Sequence, residues 1–292
     1  SLLTSDAYMQ FITDNDFHTL AFLNDFTHLD CRLYKMRISF FDNGGSPLGT
    51  GDVLNSNVAL TPYGGCPPDN SESGGVPVNV LDNSKRLLYF GCGPANLRAQ
   101  TIDTDIDPDD INNRGWVYYT VQGISNSGSK ITAPYYFILE KDSCKGYTNV
   151  RLAFRNSLGA YDYFNFKMKS KQKVDIKRTT YDSMLGIYNK SVWRYNNTDR
   201  GVNVNNVVAK ETVTINTDWL QEGQVDLIEK LLLSKSVFIV RSDVANPKPI
   251  QSKTVPVLVK DSSFVRKTIP NDKVKIQYTL QIELSNNLNT NA

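Results

Sequence analysis

At 292 residues the chain can bury a sizeable core, as one large domain or two of ordinary size. With 40% hydrophobic and 21% charged residues it is not a disordered chain. The net charge of +2 is too balanced to point to a nucleic-acid or membrane partner, and no apolar run approaches the ~18 residues of a membrane-spanning helix.

Ser1–Gln10 lacks the basic and long apolar regions of a signal peptide. A first residue of serine fits a chain that has been processed or that starts at an internal point. Cys31, Cys66, Cys92 and Cys144 lie far apart without a C-x-x-C pair, which argues against zinc clusters and a dense disulfide framework. Buried thiols in a reducing cytoplasm are the expectation.

Strands are expected first in "RLYKMRISFF", where Tyr34, Met36, Ile38 and Phe40 share one face. "DNGGS", Asp42–Ser46, then supplies residues that tolerate positive φ in a tight turn. From Gly49 to Asn113 the clusters "TPYGGCPPDNSESGGVP" and "TIDTDIDPDDINNRG" read as surface loops, interrupted by the apolar "RLLYFGCGPANL". Within that interruption, "GCGPAN" lacks the third glycine of a dinucleotide fingerprint and reads as a strand ending in a tight turn. "GWVYYTVQG" and "APYYFILEK" read as paired strands around the hairpin loop "SNSGSK".

A domain boundary is expected near Cys144–Val150, giving a β-rich unit with long loops over residues 1–147 and a second β-rich unit over 148–292. In "YDYFNF", Tyr161 and Tyr163 have one parity while Phe164, Phe166 and Met168 have the other. A regular strand cannot bury both sets on one face, so either a bulge lies near Tyr163–Phe164 or both faces are covered. The same strand, or a hairpin arm, then leaves the core and projects a basic surface through Lys169, Lys171, Lys173, Lys177 and Arg178. Aromatics and charges are separated there rather than interleaved, which argues against a nucleic-acid platform.

"ETVTIN" and "TVPVLV" read as strands, and "KVKIQYTLQIEL" alternates cleanly, with Val274, Ile276, Tyr278, Leu280, Ile282 and Leu284 facing a core. Between them "TDWLQEGQVDLIEKLLLSKS" predicts one amphipathic helix near residues 219–233, with Asp218 as N-cap and Gln221 completing a capping box. The fold class expected is mainly β: two β-sandwich or β-barrel-like domains, the second with this helix packed on a sheet.

Residues for catalysis are sparse. The two histidines, His18 and His28, have no adjacent ligand spacing and read as surface or strand residues. There is no G-x-S-x-G elbow and no nucleophile beside a suggestive base. No catalytic residue, cofactor or resident metal is expected. Asp103, Asp105 and Asp107 could offer oxygens to calcium, but Pro108 occupies the place of the EF-hand glycine and Arg114 that of its glutamate. A solvated acidic loop is the expected reading.

One stretch carries a resemblance. "VRLAFRNSLGAYDYFNF" is similar to the "RLxWxNxxGxxDYFNF" signature of a family of tailed-bacteriophage virion proteins, found especially in marine phages, with Phe154 at the tryptophan position. The order of "FHTLAFLND", "LLYFGCGPANL", "VYYTVQ", "TINTDWL", "LLLSKSVFIV", "PVLVKDSSFVRKT" and "IQYTLQIEL" extends it from about Phe17 to Leu284. Family members carry a further β-rich segment ahead of the position of residue 1. Strands with an extended arm, one helix and more strands resemble the module of phage tail tubes and distal adaptors.

The resemblance implies a non-enzymatic structural component of the virion at the tail tip, baseplate or tube end. It would be assembled in the host cytoplasm from copies of itself and other virion proteins. The basic arm and the loops Gly49–Gly75 and Thr101–Gly115 would contact neighbours. A second reading is a receptor- or glycan-binding module in which Trp116, Trp193 and Trp219 stack on host sugars, unless these aromatics pack internally. An envelope-degrading enzyme would need two carboxylates facing each other across a groove.

Overall fold

The computed structural model describes residues 2–4, 9–14, 16–23, 33–54, 87–98, 103–104, 115–125, 127–140, 147, 149–220, 222–240, 254–261, 265, 276–285 and 288–289. The fold is mainly β, as the alternating patterns require. The strands up to residue 139 are β1 (Met9–Ile12), β2 (Thr19–Leu23), β3 (Lys35–Phe41), β4 (Pro47–Leu54), β5 (Leu87–Gly91), β6 (Asp103–Thr104), β7 (Tyr118–Ile124) and β8 (Tyr135–Leu139). Six of them form one sheet in the order β1-β8-β7-β3-β4-β6, while β2 pairs with β5.

Met36, Ile38 and Phe40 of β3 are buried beside Tyr119 and Val121 of β7, as period-2 alternation predicts, whereas Tyr34, expected on the same face, lies exposed just ahead of the strand. The Asp42 carboxylate accepts from the Gly44 and Ser46 amides at 2.8 Å each, and Gly45 at φ 79° closes the turn. β4 runs into the stretch expected to be loop. Its sequence, "PLGTGDVL", hides a strand behind two glycines and a proline.

"GCGPAN" also differs from expectation. After β5 the chain forms a short helix, α1 (Pro94–Arg98), so the described residues hold two helices rather than one. Proline at the first helical position gives up an amide that has no intrahelical acceptor.

The second group comprises β9 (Val150–Arg155), β10 (Tyr161–Phe166), β11 (Lys171–Asp182), β12 (Ile187–Asn189), β13 (Val192–Arg194), β14 (Val202–Asn216), α2 (Glu222–Leu233), β15 (Val237–Val240), β16 (Thr254–Val259), β17 (Thr279–Leu284) and β18 (Leu288–Asn289). The sheet order is β10-β9-β15-β16-β17-β14-β11, with β18 added to β14 and β12–β13 a separate hairpin.

β10 and β11 are consecutive in the chain yet lie at opposite edges of this sheet, so they are not one continuous strand. Laid flat, the seven strands would separate these edges by about 29 Å, whereas the five Cα steps from Phe166 to Lys171 reach about 18 Å at most. The sheet therefore curls. The Met168 amide at one end donates to the Asn216 carbonyl of β14 at 3.3 Å. Inside the curl, Leu152, Phe154, Phe164, Phe166, Val213, Ile215, Leu280 and Ile282 meet Val225, Leu227, Ile228 and Leu231 of α2.

The helix begins at Glu222, later than a cap at Asp218 predicts. Leu220 is held extended instead: its amide donates to the Ile276 carbonyl at 2.8 Å and its carbonyl accepts from the Ile276 amide at 3.3 Å. The Asp218 carboxylate accepts from the adjacent Trp219 amide at 2.8 Å. The alternation of "KVKIQYTLQIEL" holds from Ile276 to Ile282, with Ile276, Tyr278, Leu280 and Ile282 buried, but breaks at the end, where Glu283 is buried against Lys210 and Lys260 and Leu284 is half-buried.

Candidate functional site: an uncovered arm and a buried polar joint

β10 answers the parity conflict without a bulge. It pairs in unbroken register with β9, and both faces are covered. Phe164 and Phe166 enter the core of the curled sheet. Tyr163, on the opposite face, packs with Ala153 and Val240 and against Phe17 from the first group of strands.

That opposite face carries a buried polar joint built around Arg151. Its Nε donates to the Phe17 carbonyl at 3.1 Å, and Nη1 donates to Asn165 Oδ1 at 2.7 Å and to Asp16 Oδ2 at 3.3 Å. Nη2 donates to His18 Nδ1 at 3.0 Å, which fixes the imidazole as the neutral tautomer protonated on Nε2. Asn165 Nδ2 returns a bond to Asp16 Oδ2 at 2.9 Å. The His18 ring lies 4.3 Å from Tyr163 and 4.9 Å from Phe137, and the guanidinium lies 4.9 Å from the centre of the Tyr163 ring.

"GCGPAN" holds this segment in place and is not a phosphate cradle. Asn96 Oδ1 accepts from the His18 amide at 2.8 Å, and the Cys92 amide donates to the His18 carbonyl at 2.8 Å. A Cβ on Gly93 would lie 2.4 Å from the Asp16 carbonyl oxygen, so only glycine fits.

Burial and the Arg151 charge hold His18 well below its ordinary range. Burial also pushes the Tyr163 hydroxyl up to about 12. Such convergence suits acid–base chemistry when it opens on solvent. Here Asp16, His18, Arg151 and Tyr163 are each at most 2% exposed, so the cluster ties one group of strands to the other. His18 is thus neither a surface nor a strand residue. A second tie joins Lys167 to Glu140, and burial pulls Lys167 down to about 8 against the opposing influence of Asp16 and Asp218.

β11 is the opposite case. All twelve of its residues are exposed, and among the described strands it pairs only with β14. Cross-strand pairing sorts its side chains by face. Lys171, Lys173 and Lys177 lie with Lys210 on one face, whereas Val174 and Ile176 lie with Ala209, Val207, Val204 and Val202 on the other. Arg178, opposite Val207, falls on the apolar face, and Lys169 is exposed just before the strand. The five predicted contact residues are therefore divided between two surfaces.

Beyond β11 the chain folds into a tip. Asn189 pairs with Val192, leaving Lys190 and Ser191 as a two-residue loop with φ of 48° and 73°, both in the left-handed region. Tyr188 pairs with Trp193, and Tyr195 lies two residues further on the same face, with ring centroids 5.9 Å from Trp193. These three side chains are 67%, 46% and 59% exposed.

The stretch from Val174 to Val204 holds 11 of the 23 exposed large hydrophobic residues among those described. Exposed apolar side chains are thus concentrated in this stretch rather than scattered singly over the described surface. Of the three tryptophans, Trp116 is buried and Trp193 and Trp219 are about half exposed, so internal packing accounts for only one. Sequence reasoning found Trp193 but missed Ile187, Tyr188, Val192 and Tyr195; the signal was "GIYNKSVWRY", an apolar hairpin with no core nearby.

Asp105 and Asp107 lie outside the described residues, as do most of the predicted contact loops; the backbone of Asp103 lies in β6. Among the described residues no three His, Cys, Asp or Glu side chains converge as a metal site. Cys92 is a buried free thiol, and the other cysteines and His28 lie outside the described residues. Comparisons with protein-family models, curated proteins and solved structures find no match.

Proposed function

We propose that this chain is a structural subunit of a bacteriophage tail, at the tip, baseplate or tube end, acting by assembling with copies of itself and other virion proteins. The observation that supports this reading is the outer part of the arm, where residues 178–182 of β11 pair with residues 202–207 of β14 beyond the reach of β17 and β18, a two-stranded ribbon without a covering layer among the described residues. An isolated two-stranded ribbon is marginal in water, and the apolar residues along this one add an unfavourable exposed surface. Covering them in an oligomer removes both problems. Light scattering on the purified chain tests the reading: it predicts a defined oligomer, and virion particles should contain the protein by mass spectrometry. A monomer at every concentration, absent from particles, would overturn it.

A second reading, a glycan-binding module, has one observation in its favour. Tyr188, Trp193 and Tyr195 present their rings on one exposed face, a platform on which the apolar face of a sugar would stack. A glycan array separates the two readings, since the assembly reading predicts no hits.

A further inference from the structure

Lys167 and Glu140 stand apart from the other lysine–carboxylate pairs of the described residues. Lys173 and Asp175 are both open to water, with side chains 72% and 57% exposed. Asp52 is shared by Arg37 and Lys35, and Glu283 by Lys260 and Lys210. In both, hydrogen bonds from two cations hold the carboxyl below its ordinary range, as a settled carboxylate. Lys167 and Glu140 pair one to one. The lysine side chain is only 16% exposed, and the atom it meets, Glu140 Oε2, is itself buried.

Both backbones are anchored beside the pair. The Glu140 amide donates to the Ile12 carbonyl at the end of β1 at 2.8 Å, and the Met168 amide, next to Lys167, donates to the Asn216 carbonyl of β14. Two groups held in contact in this way react as if at concentrations far above any reached in solution. Burial also favours the neutral forms of both partners. It brings Lys167 down to about 8, where a usable share of the amine is free to act as a nucleophile near neutral pH.

We propose that Lys167 and Glu140 condense into an isopeptide bond, a covalent cross-link between the first group of strands and the second. Lys167 Nζ attacks the Glu140 carboxyl carbon, so that one N–C bond forms and one C–O bond breaks. Nζ gives up two of the three protons of its ammonium form, and the departing oxygen carries them off as a water molecule. The step needs no oxidant, metal or second protein. Its product is a neutral amide in place of two charges that are costly to keep away from water. The link closes residues 140–167 into a covalent loop, which restricts the unfolded chain and so favours the folded one. It forms within one chain and is independent of how copies assemble.

The intact mass of the purified chain in denaturant is the test. Wild type is expected one water lighter than its sequence mass, and proteolysis should release a branched peptide that joins the Glu140 segment to the Lys167 segment. Lys167→Arg keeps the ion pair but not the nucleophilic amine, so it should have its full sequence mass and a lower melting temperature. Glu140→Gln should condense with loss of ammonia instead of water and end at the same mass as cross-linked wild type. Wild type at its full sequence mass overturns the proposal and leaves the pair a plain salt bridge, whatever the variants do. A loss of water that persists in Lys167→Arg overturns it as well, because the dehydration then lies elsewhere in the chain.

Discussion

β10 and β11 follow one another in the chain and form the two edges of one sheet, yet they meet opposite fates. Five of the six residues of β10 are buried, on both faces, whereas all twelve of β11 are exposed. The edge at β10 is roofed by the segment Asp16–His18, and the Arg151 joint fixes the roof in place. Within the described chain, β11 has no counterpart of that roof. An unprotected edge strand is a site for pairing or docking, which proteins either blunt or use. Lysines occupy one face of β11, and Val174 and Ile176 lie on the other with Val207, Val204 and Val202 of β14.

Four substitutions and one change of condition would break or sharpen this contrast. The largest effect is expected from Arg151→Ala, which leaves the Asp16 carboxylate buried without its ion-pair partner and removes the four guanidinium bonds of the joint. A loss of about 3–5 kcal/mol in urea unfolding is predicted, and a loss under about 1 kcal/mol would mean that the roof over β10 is held by other contacts. Phe166→Ala on β10 should cost a similar ~3–5 kcal/mol. Its counterpart Ile176→Ala on β11 should leave monomer stability within about 0.5 kcal/mol. Equal losses from the two would erase the contrast.

At the tip, Trp193→Ala should leave unfolding unchanged but weaken self-association by about 1–3 kcal/mol, measured by sedimentation. Acid gives the smallest effect. His18 is held neutral in the folded chain, so the unfolded chain gains a proton as pH falls below about 6.5 while the folded chain does not. Stability contributed by the neutral ring is full above that pH and is lost below it, by at most about 1.4 kcal/mol per pH unit. Urea midpoints at pH 7.5 and 5.5, for wild type and for His18→Gln, isolate this slope; an equal slope in both would assign it to other groups.

Much of the local structure was legible in the sequence. Alternation located β3, β7, β8 and the described part of "KVKIQYTLQIEL", because one-sided burial writes period 2 into the chain. The Asp42–Ser46 turn was legible from its own residues. What was not legible depended on distant partners. The parity conflict in β10 left two solutions open, and the choice was made by residues 16–18, more than 130 positions earlier. The start of α2 was misplaced because Leu220 bonds to Ile276. His18 looked inert because its partners Arg151 and Tyr163 are remote in sequence. The arm's lysines were visible, but their division between faces, and the aromatic platform at the tip, emerged only from the register of β11 with β14 and of β12 with β13.

The most direct measurement is amide hydrogen exchange of the two edge strands as the full chain is concentrated from dilute monomer into its assembled range. Protection should rise with concentration across β11 and the tip, while β10, already roofed within its own chain, keeps one exchange rate throughout. If β11 exchanges equally fast at every concentration, or if β10 gains protection in its place, the arm is not where copies of this protein meet.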